Sequence, residues 1–539
     1  MVRALALGIA VIVLGGSAVR GAVDEAIASR IRKAVRLPQI NIQFKFGFTD
    51  AQDWLSEPEA PGPDVVERLK AAVKANPGDA EALDQIARFN ALRGDPTSAE
   101  AARDEAVAAW RKRADANPGD RAVLTGFARA LRVNRECAEA ERALRKATAG
   151  AGAPWEARYE LATVLGELAM QPYFLGPTRG PGMLLGGPPI TPAAAEESNR
   201  RNDEAMAIAD QLVESAPGDP RGLARRARLR TNRALIEFAG RLAEVGKDGN
   251  ERLLRMFPAM FPSVAVPDLE AALRLRPEDP RLIVGLVMHR LSGRLPELIG
   301  RLHSRATGGF DALTTSEQGQ VLDALSRLER IAAGDDKAVA ATALESAACI
   351  QLVVRGDSLA ARTTAIRAIR LDPRLKDAFE LALGTTIGGE KSDWTAAEEI
   401  VRERLKGKQD ERTRLALVKI LKEAGKPDEA LKEVHAALKA DPRQASLEVA
   451  HLALHVRQGQ FPGTSGEVPD LDRLKGLIEA LPDGEARGAL LANFYVTASA
   501  LAALGGDAEG ARRMLAGILA QIPDDEYAKG VAELVRQLP

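Results

Sequence analysis

An all-α fold is what this sequence predicts: an α-α superhelix, a right-handed solenoid of helical hairpins with a short extended N-terminal segment. Three observations predict it. The chain has 539 residues, several times what a single hydrophobic core serves, so it is either several domains or one elongated array. Hydrophobic residues make up 46% of it but aromatics only 4%, so the buried surface must come from Ala, Leu, Val and Ile, which suit helices packed closely on helices. Short Pro/Asp punctuation recurs between long Ala/Leu/Arg/Glu-rich runs, the signature of repeated helix pairs.

Charge and cysteine content narrow the function classes. Charged residues are 28% of the chain and the formal net charge is −1, so no overall field attracts polyanions and no nucleic-acid partner is expected. Cys137 and Cys349 stand far apart and make no disulfide framework; each falls inside a helical pattern, where a buried small residue is the plain reading.

Taken in order, residues 1–22 read as a signal peptide or N-terminal anchor. Arg3 is a minimal positive region, Ala4 to Leu14 is apolar, and Gly16-Ser17-Ala18 offers small side chains for cleavage, with Val19-Arg20-Gly21 as a second site. The apolar run is short of the roughly 20 residues that span a bilayer, so cleavage and export to a periplasmic or extracellular location are expected. An uncleaved membrane anchor is the alternative, and membrane contact is expected only in that case. No Cys follows the run to support a lipoprotein attachment, and no other segment reads as long and apolar enough to cross a membrane.

Residues 23–64 read as a helix, a short strand and a linker. Ile40, Ile42, Phe44, Phe46 and Phe48 alternate onto one face, as in a strand or an extended segment laid apolar face down on the first helices. Residues 65–170 form elongated hairpins: Leu83, Ile86, Ala87, Ala99 and Ala106 recur 41 positions later as Leu124, Phe127, Ala128, Ala140 and Ala147. The Gly94 turn of the first copy becomes Asn134-Arg135 in the second.

Two interruptions follow. Residues 171–192, rich in Gly and Pro, read as a non-helical loop. Residues 193–340 read as degenerate helical repeats carrying an apolar loop, 246–267, in which Phe257 and Phe261 are candidate partner-binding residues. Folding of both loops onto the array is the plainer reading.

At each punctuation mark, Pro stops one helix and Asp is expected to cap the next. The marks are Asn76-Pro77-Gly78-Asp79, Asn117-Pro118-Gly119-Asp120, Ala216-Pro217-Gly218-Asp219, Arg276-Pro277-Glu278-Asp279, Leu371-Asp372-Pro373, Ala440-Asp441-Pro442 and Ile522-Pro523-Asp524.

Within residues 341–539 the spacing tightens. Gly356, Ala361, Ala368 and Pro373 form one series; Gly425, Ala430, Ala437 and Pro442 repeat it; Gly506, Ala511, Ile518 and Pro523 repeat it with Ile where a small residue belongs. The Gly supplies a turn and the small side chains let two helices approach. This spacing resembles the tetratricopeptide repeat. The resemblance covers about half the chain and implies a protein or peptide partner, bound on the surface lined by the first helix of each hairpin. On the three well-spaced units those positions are Gln351, Arg355, Arg414, Lys419 and Asn493.

No catalytic constellation stands above its bland alternative. His451 and His455 share a helix face at i, i+4 spacing, but Leu452 stands where a zinc peptidase carries Glu and no third ligand is evident, so the pair reads as helix packing. No metal and no cofactor are expected. Arg221, Arg225, Arg226, Arg228, Arg230 and Arg233 load one helix with charge, and the acidic residues of the preceding helix, including Asp203 and Asp210, are expected to pair with them across the hairpin. The reading is therefore an exported, non-enzymatic scaffold. An envelope enzyme or enzyme subunit with a pocket made by the apolar loops, and a homo-oligomeric structural component, are the alternatives.

Overall fold

A computed structural model of the chain describes residues 25–37, 63–93, 96–174, 191–242, 262–295, 297–298, 310–387, 392–407, 411–459, 470–481, 485–522 and 525–538. Among these residues there are 23 α-helices, two short 3-10 turns and no strand. The expected leader at 1–22, the alternating segment at 40–48, Gly94, and Phe257 and Phe261 lie outside the described residues.

The contacts divide the chain into two compact units. The larger unit spans Gln43–Lys391 and includes α2 (Pro63–Ala75), α3 (Ala80–Arg93), α4 (Pro96–Ala116), α5 (Arg121–Val133), α6 (Cys137–Ala147), α7 (Trp155–Phe174), α8 (Pro192–Ser215) and α9 (Pro220–Leu242). It continues with α10 (Val266–Leu275), α11 (Pro280–Arg290), α12 (Thr315–Ala332), α13 (Lys337–Val353), α14 (Ser358–Leu371) and α15 (Lys376–Ile387). Consecutive helices pack as hairpins, α3 on α4, α5 on α6, α7 on α8 and α13 on α14.

Small residues set these approaches. Ala128, Ala140 and Ala147 are fully buried in one core cluster, and the Trp110 ring lies so close to Gly126 that a Cβ there would stand 2.3 Å from it. The turn whose glycine is lost keeps its geometry, because Arg135 adopts a left-handed φ of 66° in its place.

The smaller unit combines residues near both ends of the chain. It holds α1 (Glu25–Ala34) together with α16 (Trp394–Leu405), α17 (Glu411–Glu423), α18 (Pro427–Ala440), α19 (Ala445–Gln458), α20 (Leu471–Glu479), α21 (Glu485–Leu504), α22 (Ala508–Gln521) and α23 (Glu526–Arg536). The tetratricopeptide-like spacing is realised here and in α13–α14. Gly356, Gly425 and Gly506 take positive φ, and Ala361, Ala368, Ala430, Ala437 and Ala511 have no exposed surface. Ile518 fits the small-residue site with 5% exposure.

Three sequence expectations need correction. Residues 171–174 continue α7 as helix through Pro172, Pro192 opens α8 and Val266 opens α10 within the second loop's span, while residues 175–190 and 246–261 lie outside the described residues. Among the described residues one helical segment, Arg487–Leu504, is long and apolar enough to cross a membrane, but most of it is buried and Phe494 and Val496 sit in the core. The third correction concerns the caps. Asp79, Asp120, Asp219 and Asp279 accept from the first amides of α3, α5, α9 and α11 as expected. Asp372 and Asp441 instead accept from the amide two residues on and pair with Arg374 or Arg443 inside the turn. Glu345 of α13 accepts from Ala378 in α15, and Glu411 of α17 accepts from Ser446 in α19.

Candidate functional site

The best-formed site lies in the smaller unit, where α1 ends and runs into a short non-helical tail, Val35-Arg36-Leu37. Ala28, Ile31, Val35 and Leu37 are buried, so this segment presents apolar side chains at i, i+3, i+7 and then i+9 to the repeats beneath it. Helix α1 packs on α19, α21 and α23.

Its backbone is held by side chains of those helices. Arg457 donates to the carbonyls of Lys33 and Val35 at 2.9 and 2.7 Å, and Asn493 donates to the carbonyl of Arg36 at 3.4 Å. The amide of Arg36 donates to the Tyr527 hydroxyl at 3.0 Å, and its guanidinium lies 5.1 Å from the centre of the Tyr527 ring. Burial pushes the Tyr527 phenol up, so it stays a neutral hydroxyl that can accept this bond. Contacts made to main-chain atoms hold this helix end and its tail with little regard to sequence, while the buried Val35 and Leu37 add selectivity for apolar side chains.

Beside the segment is a cavity of about 450 Å³ lined by both the segment and the repeats. Lys419, Lys422 and Arg457 face it from the repeats and Lys33 and Arg36 from the segment, against Glu423 and Glu526. Lys419, Arg457, Asn493 and Tyr527 belong to α17, α19, α21 and α23, alternate helices that follow one another along the unit.

Of the positions the sequence singled out, Lys419 and Asn493 therefore come together around the segment. Arg414 lies on the same helix as Lys419, half-buried. Gln351 and Arg355 belong to the other unit; Arg355 is half-buried with its guanidinium 5.5 Å from the Phe310 ring. Arg457 and Tyr527 were not singled out, because only the docking of residues 33–37 gives them a role.

A second cluster corrects the expectation that His451 and His455 lack a third partner. His435 on α18 meets them: its Nε2 is 2.7 Å from the Nε2 of His451, which is 2.8 Å from the Nε2 of His455. A signal for this did exist. His435 and His451 lie equally far in sequence from Arg443 in the turn, and residues equidistant from the turn of an antiparallel hairpin face each other.

Four arginines of helix α9, Arg221, Arg226, Arg230 and Arg233, form ion pairs. Arg226 pairs with Asp210 and Arg233 with Asp203 across the α8–α9 hairpin, as expected, while Arg226 and Arg230 also reach the buried Asp268 of α10. Burial, reinforced by Glu167, pushes the Cys137 thiol up to about 11, and burial with Asp377 raises the Cys349 thiol well above its ordinary value, which disfavours the thiolate a nucleophile requires.

No protein-family model matches the chain, and no curated protein sequence matches it. Among solved structures it is similar to yeast Tom70, at 12% identity over 88% of this chain and 92% of that one, with a TM-score of 0.29. It is also similar to a human IFIT1 dimer with PPP-AAAA, at 14% identity over 95% of this chain and 99% of that one, again with a TM-score of 0.29. Likeness at this level carries no inference about the site; the helical-repeat assignment rests on the chain's own hairpins and spacings.

Proposed function

We propose that this protein is an exported, non-enzymatic scaffold that holds a protein or peptide partner across α17, α19, α21 and α23. The observation that carries this reading is the capture of Lys33, Val35 and Arg36 through their main chain by Arg457, Asn493 and Tyr527. A surface built to hold one segment through its backbone can hold another with the same backbone and apolar spacing. The adjoining cavity, with more basic than acidic side chains, suits a carboxylate on the partner.

The test uses the chain without residues 1–37, checked for helicity by circular dichroism, and a fluorescent peptide of residues 25–37. Saturable binding in anisotropy is expected, weakened about tenfold by Arg457→Ala because charged hydrogen bonds to two carbonyls are lost. A folded chain that ignores the peptide would overturn the reading.

Export rests on Arg3 and the apolar run that follows it. Cleavage after Ala18 or Gly21 would leave α1 whole. Protein recovered from the cell envelope should start beyond Ala18 by N-terminal sequencing; chain starting at Met1 and confined to the cytosolic fraction would refute export.

A further inference from the structure

We propose that His435, His451 and His455 form a binding site for a divalent transition-metal ion, with Zn²⁺ the best fit, at the α18–α19 junction. The three rings converge through their Nε2 atoms, at 2.7 and 2.8 Å from His451, and one ligand atom from each lies within 4.8 Å of the others.

Hydrogen bonding alone serves this arrangement badly. An imidazole Nε2 has a single in-plane position, holding either a proton or a lone pair, yet the Nε2 of His451 faces two others. One directed N–H···N bond can form there, and the second, equally short contact can only share the same proton or lone pair off its axis. Protonating the rings would instead crowd like charges around His451 and His455, which are 7% and 1% exposed. A cation that accepts all three lone pairs removes the conflict.

The geometry is close to what such an ion needs. With Zn–N bonds of about 2.0–2.1 Å in a tetrahedron, the nitrogens stand about 3.3 Å apart. The two short contacts must open by about half an ångström, which ring rotation supplies. Three imidazoles select zinc, copper, nickel or cobalt over magnesium and calcium.

The surroundings also fit. Glu448 is buried, with an oxygen 3.8 Å from the Nδ1 of His451, on the side of the ring opposite the cluster. Arg473 pairs with Glu448 as well. A carboxylate on that side of the ring, though beyond hydrogen-bond reach at 3.8 Å, favours a proton on Nδ1 and leaves Nε2 as a ligand. His435 is exposed, so the fourth coordination position opens to solvent and can take water or a side chain of another protein. The site thus adds a metal-dependent attachment point, separate from the main-chain contacts that hold residues 33–37.

Tag-free full-length protein, stripped with a chelator and dialysed, should bind one Zn²⁺ per chain in calorimetry. Co²⁺ should give the visible absorption of a four-coordinate nitrogen site. His435→Ala removes an exposed side chain and should leave the helical circular dichroism unchanged while weakening Zn²⁺ by roughly 100-fold or more; Glu448→Gln should weaken it by about 10- to 100-fold. Folded wild-type protein that binds neither ion, or Zn²⁺ affinity unaltered in folded His435→Ala, overturns the proposal.

Discussion

The Pro/Asp marks of residues 63–290 and the two at Pro373 and Pro442, within residues 337–458, look alike in sequence and are built differently. In the first region an Asp directly precedes the helix and caps it, as Asp120 does by accepting from Ala122 and Val123 at 2.8 and 3.1 Å. In the second region the Asp comes before the Pro and lies too early, so Asp372 and Asp441 brace the turn through Arg374 and Arg443. The amides of α15 and α19 are met instead by Glu345 and Glu411, from a helix two earlier in the chain. A local cap depends only on its own turn. An imported one ties each hairpin to the next, and it brings a carboxyl group into a half-buried place.

The largest expected effect tests that second arrangement. Burial, together with Asp377, pushes Glu345 from 4.5 up to about 7. A carboxyl raised in the folded state binds its proton more tightly there than in the unfolded chain, so stability is full below pH 4.5 and declines as pH rises towards 7. Glu345→Gln keeps an acceptor for Ala378 and removes the charge. It should stabilise the protein by roughly 1–3 kcal/mol at pH 8 and flatten that decline, measured by urea denaturation across pH. Equal pH profiles for both proteins would show that Glu345 carries no such burden.

A smaller contrast separates cap from brace. Glu411→Ala leaves the Ser446 amide without its acceptor and should cost about 1 kcal/mol, whereas Asp441→Ala should cost under about 0.5 kcal/mol because its pairing with Arg443 is solvent-exposed. Denaturation midpoints that fall equally, or fall further for Asp441→Ala, would erase the distinction between the two regions.

The helices were legible because Pro, Gly and Ala act locally: Gly356, Gly425 and Gly506 mark turns and Ala361, Ala430 and Ala511 mark close approaches whatever lies beyond the hairpin. The site was legible only in part. Lys419 and Asn493 follow from helix phase and the resemblance, but Arg457 and Tyr527 acquire their role from a segment more than 400 positions away. The caps supplied by Glu345 and Glu411 were hidden for the same reason, since nothing within their own helices marks them as acceptors for a later one. His435 lay between these extremes, within one hairpin of its partners but legible only once the turn at Arg443 is used as a mirror.

The docking of α1 on α23 also has a consequence for how the chain is made. Residues near its beginning supply buried surface to a unit whose last helix is translated at its end, so this unit cannot reach its final form during synthesis. Until Tyr527 emerges, Val35 and Leu37 lack part of the surface that covers them, and closure then brings together positions separated by nearly the whole sequence. The opening stretch of the polypeptide must therefore wait unfastened while everything between is produced, which leaves it available to whatever handles the newborn chain.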